Sequence, residues 1–536
     1  KSEELLNMWA MKNGGELLGW AMRNWRILML FGALLSPLMA SFKDASLERP
    51  TAAAASNLTW AWYSLKKMVY WQSVGWFVVM SSLLAMVHGF IKDYERKNIW
   101  WKLGNTVRHG RRGPGVVTGR IFPVKVADLI GAKGPEFMQL MLRDTLPDGV
   151  RVINVVVDLG KPYHLKDGVK GEKAIAKLTY NRNCEAAPKE VFVKFNLNKT
   201  SIMRFLVDLT ACTICEGEFF ARLAKEVKVM RPPTHYFCDY SVTGEFVSVT
   251  SVIRPGKDFR LPFKHRIRDE TTLEEQLLLC REGAKLNAQF WGGAGIINFH
   301  EKNRDLHRCL EMTAFLMGKT IRGEFEGGVG PGHSFVTWKI GKDVADRIGE
   351  VCSKMTLVYE LLSNENVAFG HNDIVPDNVV YKRHGGRRGV LELSEVFDWQ
   401  QACDNNVGSE WAWNLHFLDP EFLTKHEDRF IEEILFTYEK AGVQVTKEEF
   451  IKGYCLGCLQ MFVWGGIGLQ FIFGGLSKVD MIQNLKAGWQ WGDGHDLGIA
   501  RHELALGAEM TRRTFTNVCN IMERHSFMER FDELLN

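Results

Sequence analysis

Little in this 536-residue sequence is extreme, and what it lacks narrows the field first. Cysteine is sparse, with eleven in the whole chain, too few for a disulfide-stapled scaffold and odd in number. A reducing surrounding for the main domain is the simpler reading. Two pairs have CxxC spacing, Cys212/Cys215 and Cys455/Cys458. Both lie in apolar, helical stretches with no His or Cys cluster nearby, so they read as small buried side chains rather than a zinc or redox centre. Charge of one sign is also lacking. Lys plus Arg total 67 against 63 Asp plus Glu, a net +4, too weak a balance to argue for a nucleic-acid partner. The sequence has no long same-sign tract, low-complexity run or convincing repeat, which excludes charged tails and solenoid architectures. What remains is an ordinary globular balance, 46% hydrophobic and 24% charged, in a chain long enough for two or three domains.

Long uncharged runs are present, and two stand near the front. Met68 to Ile91 (MVYWQSVGWFVVMSSLLAMVHGFI) carries no formal charge, and about 20 such residues cross a bilayer as a helix. Lys66 and Lys67 precede it, and Tyr70, Trp71 and Trp76 cluster at its start as interfacial aromatics do. Ile27 to Phe42 is shorter and contains Pro37; extending it toward Leu17 takes in Arg23 and Arg26, which are costly at a bilayer centre unless they snorkel. The expectation is one or two spans, at about 17–42 and 68–91, with a helix lying in the interface as the alternative to the first. Lys92, Arg96, Lys97, Lys102, Arg108, Arg111 and Arg112 follow the stronger run. By the positive-inside rule the rest of the chain then sits on the cytoplasmic or matrix side of its membrane, the mitochondrial inner membrane and the endoplasmic reticulum both being open. The chain opens on Lys1, which leaves room for a removed targeting peptide. A third uncharged run, Tyr454 to Leu476, holds six glycines plus Gln460 and Gln470 and reads as a buried core helix pair.

His109-Gly-Arg-Arg-Gly-Pro-Gly115 is a glycine-rich basic linker, and it sets the expected division: 1–115 membrane-anchoring, 116–255 a small lobe, 256–536 a helical lobe. Glu136 to Arg143 reads as a short amphipathic helix. Val152 to Leu159, Ala174 to Tyr180, Glu190 to Phe195 and Gly244 to Ile253 read as strands, with Ile214 to Val227 helical between the third and fourth. From about Phe259 helical periodicity dominates, apart from an island of strand near 378–398.

The chemistry concentrates in Gly370-His-Asn-Asp373-Ile-Val-Pro-Asp-Asn378 and, twenty residues on, Val396-Phe-Asp398-Trp-Gln400. Phosphoryl transfer needs a carboxylate to orient or deprotonate an attacking hydroxyl, and oxygen ligands to hold Mg²⁺ on nucleotide phosphates. An Asp and an Asn five residues apart on one loop, with an Asp from a neighbouring hairpin, supply that set. Singly, such loop residues usually cap or turn the chain; their joint spacing favours a site.

This H-x-D-x-x-x-x-N … D-W-Q pattern resembles the loops of aminoglycoside phosphotransferases, choline kinases and the CHK-kinase-like (ecdysteroid-kinase-like) family. Gly283-Ala-Lys-Leu-Asn-Ala-Gln-Phe-Trp291 is similar to that family's LAxLHAxFW helix, with Asn287 where His is usual, and Glu216-Gly-Glu-Phe-Phe220 is similar to its E-x-x-F-Y helix. The resemblance runs from about Phe122 to the end of the chain. It implies an α+β, bilobal protein-kinase-like fold of the aminoglycoside phosphotransferase type, preceded by the membrane-associated helices. It further implies ATP and Mg²⁺ as cofactors and a small-molecule hydroxyl as acceptor. Carried over by position, Asp373 resembles the catalytic base, Asn378 and Asp398 the metal ligands, and Lys194 the phosphate-neutralising lysine. Glu216 is its expected helix partner, with Glu218 the alternative, and Gly168 and Gly171 occupy the place of the phosphate-covering loop. Three departures stand out: Asn372 replaces a glycine, Asn414 in Trp411-Ala-Trp-Asn-Leu415 replaces an aspartate, and the hinge strand Val247 to Ser251 lacks its usual acidic residue. Gly323 to His333 looks like an inserted loop on the substrate side. These departures keep a second expectation open, a kinase-fold accessory subunit that touches the lipid bilayer and the other subunits of a membrane complex without turnover.

Overall fold

The computed structural model describes residues 114–158, 172–196, 211–241, 244–253, 259–260, 271–299, 302–303, 354–384, 389–473 and 502–529, with single positions at 342, 347 and 532. Both apolar runs near the front, Gly168, Gly171 and the loop 323–333 lie outside the described residues. Among the described residues no helix is long and apolar enough to cross a membrane.

A short helix, α1 (Gly134–Met141), precedes three antiparallel strands, β1 (Val152–Asp158), β2 (Lys173–Tyr180) and β3 (Glu190–Phe195). Helix α2 (Cys212–Glu218) follows and runs into a π-helical turn, Phe219–Leu223. Strands β4 (His235–Tyr240) and β5 (Phe246–Thr250) complete a five-stranded sheet in the order β1-β2-β3-β5-β4. The sequence reading missed β4. Its last four residues, Phe237 to Tyr240, are all buried, so it lacks the apolar/polar alternation that marks a half-exposed strand. The cause is that the sheet is covered on both faces. Val191, Val193, Phe195, Phe237, Val247 and Val249 point to a core shared with Met138 and Met141 of α1. Cys238, Tyr240 and Phe246 point the other way, into a core shared with Phe219 and Phe220. Because side chains alternate along a strand, Lys194 faces away from Val193 and Phe195, toward the α2 side.

Beyond the short strand β6 (Phe259–Arg260) lie α3 (Leu273–Gln289) and α4 (Met355–Asn364). Thr272 starts α3 with a capping box, its hydroxyl accepting from Glu275 N (3.2 Å) while the Glu275 carboxylate accepts from Thr272 N (2.9 Å). Two antiparallel strand pairs then set the site. β7 (Val367–Gly370) pairs with β10 (Cys403–Asn406), and β8 (Val379–Arg383) pairs with β9 (Leu391–Val396). The loop 371–378 joins β7 to β8, and the turn 397–402 joins β9 to β10. Pairing both strands of one connection with both strands of the other forces the two loops to the same end.

Helices α5 (Val407–Leu415), α6 (Pro420–Lys440), α7 (Lys447–Phe473) and α8 (His502–Arg524) close the larger core. Within the third uncharged run, Tyr454, Cys455, Leu456, Cys458, Leu459 and Met461 are buried, as the sequence implied, but the run lies in one continuous helix as far as Phe473 and not in a helix pair. All four cysteines of the CxxC pairs are free and buried, and burial pushes the Cys215 and Cys458 thiols well above their ordinary value. Glycine sets the approach of α5 to α7: a Cβ on Gly408 would lie 2.5 Å from Phe450 O and from Tyr454 N, and one on Gly457 would lie 2.7 Å from Ser409 Cα. An exposed Gly→Ala change inside a helix gains up to about 1 kcal/mol. Here backbone blocks the methyl, so Gly408→Ala is expected to lower stability by about 1–3 kcal/mol, and a urea titration showing any gain would contradict this packing.

Candidate active site

Lys194 is the centre of the constellation. It is 7% exposed, and its Nζ donates to Glu216 Oε2 at 2.8 Å and to Asp398 Oδ1 at 2.7 Å. Burial alone would lower its pKa, but the Asp398 and Glu216 carboxylates outweigh that and hold the ammonium above its ordinary value. Burial pushes Glu216 up, and Asp398 adds to the push, with Lys194 only partly offsetting them. Glu216, not Glu218, is therefore the partner of Lys194. Glu218 instead accepts from the Tyr240 hydroxyl at 2.8 Å and faces Arg222 one turn on.

Asp398 sits with φ 66°, ψ 53° at the head of the 3₁₀ turn Trp399–Gln401. Asp is among the few residues that enter this left-handed region without glycine. The turn is wedged in place by aromatics: the Phe219 ring stacks on Trp399 at 4.0 Å and His371 packs against the same indole at 4.6 Å. His371 Nε2 donates to the Phe397 carbonyl (3.1 Å), and Phe397 N donates to Asn378 O (3.0 Å). His371 and Phe397 thereby tie the two loops to each other.

Asp373 and Asn378 are joined directly. Asn378 Nδ2 donates to the Asp373 carbonyl (2.8 Å) and to its Oδ2 (3.1 Å), while Trp413 Nε1 donates to Asp373 Oδ1 (3.1 Å). Both carboxylate oxygens are thus oriented, one by a residue on the same loop and one from α5. The sequence reading had passed over Trp413. Its signal was position: Trp411, Ala412, Asn414 and Leu415 are fully enclosed, whereas Trp413 is only partly buried, and a Trp left half-open on such a helix has a polar edge to use.

Glu410 was missed for the opposite reason. It is 1% exposed, and its carboxylate accepts from Asn372 N (3.1 Å) and from Asn287 Nδ2 (2.7 Å); burial raises its pKa, with those donors pulling the other way. A Cβ on Gly370 would lie 1.9 Å from Glu410 Oε2, so the glycine before His371 makes room for this carboxylate. Asn287 also donates to Phe369 O (3.1 Å) and accepts from Tyr438 OH (2.9 Å). Asn372 occupies φ 53°, the conformation glycine would supply. Its amide donates to Gly370 O (3.1 Å) and Cys403 O (2.9 Å) and accepts from Asn405 Nδ2 (2.8 Å), which offsets the strain. Asn414 Oδ1 accepts from Ile374 N (2.9 Å), a bond that a carboxylate in the same place would also make.

The donor set fits a divalent cation that arrives with a nucleotide. Asp398 and Asn378 offer a carboxylate and an amide oxygen, hard ligands suited to Mg²⁺. Among the described residues no group of three or more His, Cys, Asp or Glu could hold a metal ion by itself. A polar cleft of about 460 Å³ lined by Trp291, Asn298, Asn364, Asn366 and Asp404 shares no residue with this constellation.

Two outcomes follow. Lys194→Met strands two buried carboxylates, and a loss of about 3–5 kcal/mol is expected in denaturant unfolding; an unchanged midpoint would show the triad to be incidental. His416, enclosed beneath Trp413, is lowered by burial from 6.5 to about 3. Its folded form stays neutral while the unfolded form takes up a proton below pH 6.5, so its contribution to stability is lost as pH falls. Between pH 7 and pH 5 that amounts to about 2 kcal/mol, and thermal unfolding of His416→Gln is expected to lose this part of the acid sensitivity.

No protein-family model matches the chain, and no curated protein matches it. Solved structures similar to it include wild-type aminoglycoside 2'-phosphotransferase-IIIa in its GDP complex, at 13% identity and a TM-score of 0.36, covering 66% of this chain and 98% of that one. An ethanolamine kinase from Plasmodium vivax is similar at 12% identity and a TM-score of 0.31, covering 67% and 83%. A choline/ethanolamine kinase family protein from Mesorhizobium loti is similar at 12% and 0.31, covering 67% and 92%. Overall superposition at this level carries no weight of its own; within the chain, Lys194, Glu216 and Asp398 are joined by direct hydrogen bonds, Asp373 and Asn378 by another pair, and the two loops by Phe397 N donating to Asn378 O. The solved structures that resemble this chain include aminoglycoside and macrolide phosphotransferases and kinases of choline and ethanolamine.

Proposed function

We propose that this chain is a Mg·ATP-dependent phosphotransferase that moves the γ-phosphoryl group to a hydroxyl of a small molecule. The observation that carries this reading is Lys194, bonded at once to Glu216 and Asp398, in a chain that also orients the two oxygens of Asp373 separately. In this reading Lys194 pairs with the nucleotide phosphates and Glu216 keeps it aimed. Asp373 receives the proton of the attacking hydroxyl while Trp413 and Asn378 hold its carboxylate. Asn378 and Asp398 would hold Mg²⁺, which when bound neutralises charge on the transferring phosphoryl. Gly168 and Gly171 would cover the phosphates from the β1–β2 connection. Only the turn Trp399–Gln401 and the short β10 separate Asp398 from α5, which leaves no room for the activation segment of a protein-directed kinase. That supports a small acceptor. The run Met68 to Ile91 supports a membrane anchor and, with its basic flank, a site on the cytoplasmic or matrix face.

Asn414 does not favour the alternative of an inactive scaffold subunit, because its oxygen makes the bond to Ile374 N that fixes the loop. The test is thermal unfolding of the full chain with Mg·ATP, and with Mg·GTP in parallel. Nucleotide at a hundredfold over its dissociation constant is expected to stabilise the chain by about 2.7 kcal/mol. Asp398→Ala is expected to abolish this shift. Asp373→Asn is expected to keep the shift while slowing phosphoryl release to any acceptor, water included, by about 10²–10⁴-fold. If neither nucleotide moves the intact chain, the proposal fails.

A further inference from the structure

We infer that residues 115–118, together with Asp239 and Tyr240 on β4, form a strap that positions α2, so that the segment leading out of the N-terminal region governs whether the Lys194–Glu216 pair is assembled. The functional consequence rests on the role proposed above for that pair; the mechanical coupling does not.

The outer half of the strap is held by one enclosed carboxylate. Asp239 has no exposed surface. Its Oδ1 accepts from Val117 N (2.9 Å) and Tyr240 N (2.8 Å), and its Oδ2 accepts from Thr118 N (2.9 Å) and from the Thr118 hydroxyl. β4 is an edge strand, and Val116 N donates to Tyr240 O (2.8 Å) along that edge. The segment also closes on itself, Gly115 N donating to Arg120 O (2.8 Å) and Gly119 N to Gly115 O (3.0 Å). A Cβ on Gly115 would lie 2.0 Å from Asp239 Oδ2, so only glycine lets the backbone come this close. A buried carboxylate satisfied by backbone amides is stable only while those amides stay in place. Asp239 therefore ties β4 to the folded form of residues 115–118.

The inner half runs from the next residue. Asp239 and Tyr240 point to opposite faces of the strand, and the Tyr240 ring lies against α2, where a Cβ on Gly217 would come within 2.5 Å of it. The Tyr240 hydroxyl donates to Glu218 Oε1 (2.8 Å). Gly217 and Glu218 directly follow Glu216. α2 is seven residues of α-helix continued by the π-helical turn, with no side-chain N-cap and with Ala211 in a left-handed conformation at its start. A helix that short is set by what it packs on, here Tyr240 on one side and, through Phe219, Trp399 on the other. Withdrawing residues 115–118 removes the partners of Asp239, disturbs the edge strand and frees Tyr240 from α2. Tension or a bound partner on the N-terminal region would then reach Glu216.

Hydrogen–deuterium exchange on the full chain tests this directly. Asp239→Asn replaces one of the two oxygens with an NH₂ that faces either the Val117 and Tyr240 amides or the Thr118 donors, and exchange is expected to rise about tenfold both at 115–120 and at 212–218, with β8 and β9 unchanged. Tyr240→Phe is expected to raise exchange at 212–218 alone. Both variants are expected to weaken Mg·ATP binding several-fold without lowering turnover at saturating nucleotide. If Asp239→Asn frees 115–120 while 212–218 exchanges as before, the coupling is wrong. Should Asp239→Asn expose β5 as well, Thr118→Val, which removes one hydroxyl contact, is expected to give the same pattern at smaller amplitude, and its absence would equally overturn the inference. A chain that shows the exchange coupling but binds no Mg·ATP would sink the nucleotide reading and leave the strap standing.

Discussion

A single ammonium group buried between two carboxylates ties this chain together. Lys194 comes from a strand, Glu216 from a helix 22 positions on, and Asp398 from a turn 204 positions on. Moving three charges out of water is favourable only if the geometry is good and each group finds its partner. The triad therefore acts as a joint that is either made or broken.

The two sides of that joint are built differently. On the side of the catalytic loop, polar groups are interlocked to the point of redundancy: Glu410, Asn287, Asn372 and Asn414 hold the backbone of residues 370–374 from beneath, and each is almost wholly enclosed. A satisfied buried network of this kind specifies one arrangement and rigidifies it. On the side of α2 the helix is short, uncapped by a side chain, and dependent on Phe219 and Tyr240. Such a division gives a fixed side around Asp373 and a movable one around Lys194. Regulation is physically easiest at the second.

Three of the departures from the expected family pattern, at Asn287, Asn372 and Asn414, are explained by the same network. Asn372 takes a backbone conformation that glycine takes freely, and offsets the strain with three side-chain hydrogen bonds. Asn287 uses both ends of its amide, as donor to Phe369 O and Glu410 and as acceptor from Tyr438. Asn414 keeps the acceptor that the loop needs. Each substitution preserves a hydrogen-bonding function while changing the residue type, which is why a motif comparison marks it as a loss and the geometry does not.

The sequence alone was enough for the elements whose chemistry is local. Strands β1, β2 and β3, helix α1 and the spacing of Asp373, Asn378 and Asp398 were legible, because alternation and motif spacing are short-range properties. The lysine was legible too, since an ammonium in an apolar strand needs a reason to be there. Only the tertiary structure decided that Glu216 rather than Glu218 meets Lys194, because two carboxylates two residues apart differ only in which way the helix turns them. It likewise revealed β4, whose burial on both faces erases the alternation that betrays a strand, and the roles of Glu410, Trp413 and Asp239. Those three act on residues far along the chain, at separations of 38 to 123 positions, and no local pattern records a hydrogen bond across such a distance.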